Sequence, residues 1–154
     1  MNALELLKED HQRVQELFDQ VKSTENEKSH KQAYKKIKTE LETHTHIEEK
    51  VLYPALKKRE EFKDLVLEAI EEHLQVKTLL RDISRLSDGN ERFDAKLKVL
   101  IDNVEHHVEE EEEELFPKVE DRFSEEELEE LGMELEAAKK EFTKKSRAKA
   151  ASSR

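Results

Sequence analysis

The chain has 154 residues, of which 44% are charged and 34% hydrophobic, and this length fits a single domain. Its net charge of −11 would repel phosphate backbones, so we expect no nucleic-acid binding except through the basic C-terminal residues. The absence of cysteine excludes disulfides, thiolate metal sites and thiol nucleophiles. Because no apolar run reaches the roughly 20 residues that cross a bilayer and no signal segment opens the chain, we expect a cytoplasmic protein without membrane contact.

The composition is typical of long helices, since glycine and proline occur only twice each while Leu, Glu, Lys and Ala are frequent. The first helix is predicted to begin after Asn2, whose side chain can cap it together with Glu5. Apolar residues that recur with a 3.6-residue period predict four long helices. These helices cover about residues 3–21, 30–58, 62–86 and 93–121.

After the fourth helix, Ser124 and Glu127 form a second capping pattern that begins a short fifth helix. We assign this helix to residues 123–142, and residues 143–154 to a basic, disordered tail. Short connectors favour antiparallel neighbours. The sequence therefore predicts an all-α protein, an up-down-up-down four-helix bundle over residues 1–122 with a short additional C-terminal helix.

Two segments of the chain carry the same pattern. The segment from His44 to Pro54 aligns with the segment from His107 to Pro117, and His11 aligns with His73. Each proline lies inside an otherwise helical pattern, where it should kink or end its helix.

Six polar residues occupy positions where the helical stripes should be apolar. They are His11, His44, Glu48, His73, His107 and Glu111. His44 and Glu48, like His107 and Glu111, are four residues apart and so share one helix face about 6 Å apart. In the predicted bundle the six lie about 12–21 Å from the neighbouring helix ends, at a rise of 1.5 Å per residue. All four helices therefore bring polar groups to one level.

A metal centre explains this convergence better than isolated core histidines do. A single inward histidine is usually hydrogen-bonded in the core, but burying two carboxylates and four imidazoles without a cation would cost several kcal/mol per charge. Four nitrogens and two carboxylates are too many for one tetrahedral zinc, and suit two carboxylate-bridged ions. Iron is the leading candidate, with manganese or zinc behind it. Within the run Glu109–Glu114, Glu111 or else Glu112 can face inward.

As a set, these motifs resemble the hemerythrin-like HHE cation-binding family over about residues 4–120. The motifs that carry this resemblance are Asp10-His11, His44-x-x-x-Glu48 with its following Tyr53-Pro54, Glu72-His73 and His107-x-x-x-Glu111 with Pro117. The resemblance implies a four-helix bundle that holds two iron ions (Fe2+/Fe3+), with Glu48 and Glu111 and an oxo or hydroxo group as bridges. It also implies an exchangeable position for oxygen or another small diatomic or peroxide ligand.

Two departures from the oxygen-carrying branch of that family argue against oxygen transport. That branch has a further histidine where this chain has Lys77, and an aspartate five residues after the last histidine, where this chain has Glu111 at four or Glu112 at five. Lys77 lies one turn beyond His73 and should approach the metals, or else point to water, to a bridging group or to a nearby acid.

Three further histidines are expected to lie at the surface rather than in the site. His30 falls in the connector after the first helix. His46 and His106 are rotated by about 200° and 100° from the ligand histidines of their own helices. We therefore exclude all three as metal ligands.

The leading functional hypothesis is a di-iron protein that binds or reacts with oxygen or a related small oxidant, in oxygen or iron sensing or in stress protection. An enzyme that consumes peroxide or nitric oxide would also need an open coordination position and an electron source. The alternative is a metal-independent helical scaffold or adaptor. That alternative leaves the six inward polar groups unexplained.

Overall fold

The structure, a computed structural model, describes residues 1–152, and its regular elements are all helical. They are α1 (Ala3–Lys22), α2 (Glu27–Ile47), α3 (Tyr53–Lys57), α4 (Lys63–Ser84), α5 (Phe93–Glu110), α6 (Phe116–Arg122) and α7 (Glu125–Ser152). A first π-helical turn, Glu48–Leu52, joins α2 to α3, and a second, Glu111–Leu115, joins α5 to α6. The joined pairs form two long helices that make a bundle with α1 and α4, which confirms the predicted all-α fold.

Both predicted capping patterns form. The Glu5 N–H donates to the Asn2 side chain, and the Asn2 N–H donates to the Glu5 carboxylate. Ser124 and Glu127 make the same pair of bonds at the start of α7. These bonds satisfy N–H groups that have no partner inside the helix, and so they fix where the two helices begin.

The two prolines do not end their helices, because each directly follows a π-helical turn. The Tyr53 N–H donates to the Glu48 carbonyl and the Phe116 N–H to the Glu111 carbonyl, five residues earlier in each case. Pro54 and Pro117 then lie in the first turn of α3 and α6, where a missing N–H costs least. The predicted break is therefore replaced by a widened turn.

The fifth helix is longer than the sequence analysis predicted. The expectation of a disordered tail does not hold for residues 143–152, since α7 continues to Ser152; residues 153 and 154 lie outside the described residues. The sequence after Gly132 contains no glycine or proline. It is rich in alanine, lysine and glutamate, which favour helix formation even where the helix has no apolar face to bury. Pairs such as Lys145 with Glu141, 2.9 Å apart, add to this preference.

The first half of α7 packs against α1, α2 and the first π-helical turn. Leu128, Leu131 and Leu135 are buried in this contact. Gly132 is required here, because a Cβ atom at this position would collide with the carbonyl oxygen of Met1. One side of the bundle is thus covered by α7.

Two apolar clusters fill the bundle, one toward each end. The first includes Leu7, Leu56 and Phe116, and the second includes Phe18 and Leu97. In each of the four helices of the bundle, the boundary between the two clusters lies near the inward histidine or glutamate residues predicted from the sequence. None of the helices within residues 1–152 is long and apolar enough to span a membrane.

Candidate metal centre

The six predicted residues converge in the layer between the two apolar clusters. α1, α2, α4 and α5 each contribute one histidine, and each π-helical turn contributes its first residue, Glu48 or Glu111. All six side chains belong to residues that are at most 7% exposed. They form two groups that could each hold a metal ion, with the ligand-type atoms within 4.8 Å of one another. The groups are His11, His44, Glu48 and Glu111, and Glu48, His73, His107 and Glu111.

Both carboxylates belong to both groups. Glu48 Oε1 lies 3.2 Å from His44 Nε2 and 3.0 Å from His73 Nε2. The two oxygens of Glu111 lie 3.1 Å from His11 Nε2 and 3.2 Å from His107 Nε2. Each carboxylate therefore lies between imidazoles of the two halves, which is where a ligand that bridges two metal ions would have to lie.

Several buried atoms of this cluster have no hydrogen-bond partner. They are His11 Nε2, His44 Nε2, His107 Nε2, Glu48 Oε2 and Glu111 Oε1. His11 Nε2 and Glu111 Oε1 lie 3.1 Å apart but do not form a hydrogen bond with each other. Buried polar atoms are normally satisfied, and these atoms are of the types that bind metal ions. The residues present therefore fit metal-ion binding.

In each of the four central histidines, the outward ring nitrogen, Nδ1, donates a hydrogen bond to a carboxylate outside the centre. The Nδ1 contacts are His11 with Glu112 (2.6 Å), His44 with Asp10 (3.0 Å), His73 with Glu49 (2.7 Å) and His107 with Glu72 (2.6 Å). Such bonds fix the tautomer and orient Nε2 toward a metal. Glu112 thus faces the outer side of His11, and Glu111 is the residue that faces inward.

Residues 2–119 match the hemerythrin HHE cation binding domain. The chain belongs to the hemerythrin HHE cation-binding domain family. This membership confirms the resemblance in the sequence, and together with the buried histidine and glutamate groups it supports metal-ion binding by the HHE centre.

A solved structure and two curated proteins are similar to the chain. The crystal structure of an HHE cation-binding domain protein from Mycobacterium kansasii is 27% identical, with a TM-score of 0.81, over 97% of this chain and 91% of that one. A DNA nickase from Nostoc sp. is 30% identical over 139 residues, which are 90% of this chain and 39% of the nickase. An uncharacterized hemerythrin-like protein of Schizosaccharomyces pombe is 29% identical over 133 residues, which are 85% of this chain and 66% of that protein. The chain therefore spans less than two thirds of either curated relative.

The protonation of the HHE centre without metal follows from its close charge pairs. Burial lowers the pKa of His44, but Glu48 and Asp10 raise it to about 10. Burial raises the pKa of Glu48, but the charge of His44 and the adjoining imidazoles of His73 and His107 hold it well below its usual value. The metal-free centre thus pairs imidazolium with carboxylate, and a metal ion must displace protons to bind.

Tyr53 belongs to the HHE centre, although the sequence analysis did not select it. Its hydroxyl lies 2.8 Å from Glu111 Oε2 and 3.2 Å from Glu48 Oε1, and it also lies 3.2 Å from His73 Nε2. Burial and the charges of Glu111 and Glu48 raise its pKa well above the usual value, so the phenol keeps its proton. In a regular α-helix Tyr53 would be rotated about 140° from Glu48, whereas the π-helical turn places residues five apart on one face.

The centre is chemically asymmetric at this position. The sequence repeat aligns Tyr53 with Phe116. The Phe116 ring stacks on His11, with centroids 5.9 Å apart. A hydroxyl therefore faces one metal group, while an apolar ring faces the other.

Lys77 points to a nearby acid rather than to the centre. Its Nζ lies 2.7 Å from Glu49 Oε1, and its side chain is 45% exposed. Glu49 is also the partner of His73 Nδ1. Of the alternatives considered for Lys77 in the sequence analysis, the contact with an acid is the one that the structure adopts.

The three remaining histidines lie outside the two central groups. His30 is buried, so the expectation of a surface position is wrong for it: its Nδ1 lies 2.8 Å from Asp94, and its Nε2 lies 2.6 Å from the Thr24 carbonyl. Helix α2 begins earlier than predicted, which turns His30 toward these acceptors. His46 stacks on Phe142 of α7, and His106 is exposed beside Glu110.

A small cavity adjoins the HHE centre. Its volume is about 20 Å³, and its lining includes all four central histidines and an apolar part made by Val14, Val76 and Val104. This volume is sufficient for one water molecule. A small ligand at this position would contact the imidazoles on one side and valine side chains on the other.

Proposed function

We propose that the HHE centre holds two iron ions bridged by Glu48 and Glu111, and that the protein binds or reacts with oxygen or a related small oxidant. The observation that carries this proposal is that two groups of two imidazoles share the same two carboxylates. Imidazole and carboxylate donors suit iron, with manganese or zinc as the next candidates. Bound iron would supply electrons and an exchangeable ligand position.

The residues of this chain would orient the imidazoles, enclose the ligand position and keep a protonated hydroxyl beside the centre. The four Nδ1 to carboxylate bonds fix the imidazoles. The valine-lined cavity limits the size of the ligand and keeps bulk water away. The Tyr53 hydroxyl holds a proton beside Glu111, which favours reaction with an oxidant such as peroxide or nitric oxide as an enzymatic variant of the same function.

Lys77 argues for turnover rather than reversible oxygen carriage. It pairs with Glu49, so the position that holds another imidazole in oxygen carriers would remain for an external ligand. We expect reduced, iron-loaded protein to be oxidised rapidly when mixed with oxygen, without a long-lived adduct in time-resolved absorption spectra. An adduct that persists and is reversed under vacuum would contradict this expectation.

The alternative function, a metal-independent scaffold or adaptor, gives no reason for five unpartnered buried polar atoms in one layer. Metal analysis separates the two functions. Cytoplasmic location and the absence of nucleic-acid binding stay predictions, since the similarity to the Nostoc DNA nickase covers 39% of that protein.

A further inference from the structure

A third group of metal-ligand side chains lies outside the HHE centre. Glu72, His106 and Glu110 place one ligand-type atom each within 4.8 Å of one another. His106 Nε2 is 2.9 Å from Glu110 Oε1, and the His106 side chain is 66% exposed. The group is therefore open to solvent, unlike the two buried groups.

This outer group (Glu72, His106 and Glu110) is adjacent in sequence to the inner group that contains His73, His107 and Glu111. Each outer residue directly precedes an inner residue: Glu72 precedes His73, His106 precedes His107, and Glu110 precedes Glu111. His106 and Glu110 thus repeat the four-residue spacing on a helix face rotated by about 100°. The outer group lies on the side of the inner group that faces solvent.

A cleft of about 30 Å³ lies between Glu72 and Glu110 of the outer group and the inner residues, and Leu65, Ala69 and Leu115 form its apolar part. It is lined by four outer carboxylates and, deeper, by His107 and Glu111. The outer carboxylates belong to Glu68, Glu72, Glu110 and Glu114. The two deeper residues link the cleft to the centre, because His107 Nδ1 lies 2.6 Å from Glu72 while its unpartnered Nε2, like Glu111 Oε1, lies inside the centre. Lysine and arginine are absent from the described residues that line the cleft, so its charge attracts cations.

The other half of the molecule has no such approach among its described residues. The sequence repeat places Asp10, Thr43 and Ile47 at the positions of Glu72, His106 and Glu110. Thr43 and Ile47 are buried, and α7 covers this side with Lys139 Nζ 2.5 Å from Asp10 Oδ1. The acidic approach therefore exists on the α4–α5 side, where the bundle is not covered by α7.

We propose that Glu72, His106 and Glu110 form an outer binding site that captures a divalent metal ion and passes it through the acidic cleft to His107 and Glu111. This inference rests on the proposed metal-binding function of the centre. The ligand is a hydrated divalent cation, held by one imidazole and two carboxylates. Exposure of His106 keeps the site weak enough to release the ion inward.

The test is the rate at which metal-free protein takes up Co²⁺, followed by stopped-flow absorption. The test variant is His106→Ala combined with Glu110→Gln, while Glu72 is kept because it also orients His107. The matched control is Glu42→Gln combined with His46→Ala, which removes the same residue types from the opposite side. We expect uptake to slow about tenfold in the test variant, the lower end of the effect of charged clefts on association rates. The final content should stay at two ions per chain in both variants.

The outcomes separate this inference from the function on which it rests. Slower uptake in the test variant alone, with a weaker dependence on salt and an unchanged melting temperature, supports the outer site. Equal rates in all three proteins would overturn it, and so would a loss of final metal content, since the residues would then hold the inner ions rather than deliver them. If the unmodified protein takes up no Co²⁺ or Fe²⁺, the proposed function itself fails.

Discussion

Each imidazole of the centre is held by a carboxylate at Nδ1 while its Nε2 faces the shared carboxylates, and this arrangement separates the four central histidines from the other three. His44 Nδ1 donates to Asp10 while its Nε2 faces Glu48. His30 is also buried, but it links Asp94 to the connector carbonyl of Thr24, far from the metal groups. Burial alone therefore does not distinguish the central histidines from His30, whereas an Nε2 atom that faces a shared carboxylate does.

We predict that His44→Ala and Glu111→Ala lower both the metal content and the melting temperature of metal-loaded protein, because bound metal stabilises the folded state. His46→Ala should change neither property strongly. His30→Ala should lower the melting temperature through its lost hydrogen bonds but leave the metal content unchanged. Elemental analysis and thermal unfolding measure the two properties. Equal metal loss in all four variants would contradict the assignment.

The pKa shifts predict that metal binding depends on pH. The pKa of His44 is raised from 6.5 to about 10 without metal, so its protonated form stabilises the metal-free fold below pH 6.5, and this contribution is lost as the pH rises through about 10. The pKa of Glu48 is lowered from 4.5, so its contribution is present above pH 4.5 and is lost as the pH falls through the lower folded value.

Because metal replaces the proton on Nε2, the apparent affinity for Zn²⁺ should rise with pH as long as the pH is below the His44 pKa of about 10. Chelator competition at several pH values measures the affinity, and calorimetry in buffers of different ionisation enthalpy counts the released protons. Binding that releases no protons over this range would show that the imidazoles are neutral without metal.

At the scale of single elements, α7 reaches the surroundings of the centre through Lys139. Lys139 of α7 pairs with Asp10, which holds His44. Gly132 fixes the depth of α7, because its lack of a side chain lets the helix approach the main chain of Met1 and Ala3. The position of α7 is therefore linked to the orientation of one ligand.

We predict that Gly132→Ala lowers the free energy of unfolding by about 1–3 kcal/mol, since the added methyl group must push α7 away from α1. Met133→Ala, at an exposed neighbouring position, is the matched control and should change stability by less than about 0.5 kcal/mol. Urea unfolding measures both variants. If the two variants unfold alike, α7 does not pack closely at Gly132 in solution.

The helices show which inward positions can be predicted from the periodicity of the sequence. The 3.6-residue stripes predicted that the six central residues are buried, because the π-helical turns of the two long helices begin at Glu48 and Glu111. Beyond that point the period changes, so Tyr53 could not be placed on the inner face from the sequence. The prolines marked the irregular segments but did not reveal that a π-helical turn would accommodate them.

Across the whole molecule, the polar layer divides the core into two apolar clusters. A layer of two carboxylates and four imidazoles packs poorly without cations, so metal should join the two halves into one stable unit. The length of α7 was not predictable from burial, because its last turns are exposed and depend on helix propensity alone. The fold and the central residues thus follow from periodicity, while the outer carboxylates and the asymmetry between Tyr53 and Phe116 require the three-dimensional contacts.

The most direct test of the metal centre is the iron content of the whole chain. Metal-free protein is titrated with Fe²⁺ without oxygen, freed of unbound metal and analysed for iron and protein. The two buried groups and their shared carboxylates predict two iron ions per chain, with saturation at two equivalents. A content of one ion, or of none above background, would contradict a centre built on Glu48 and Glu111 as bridges.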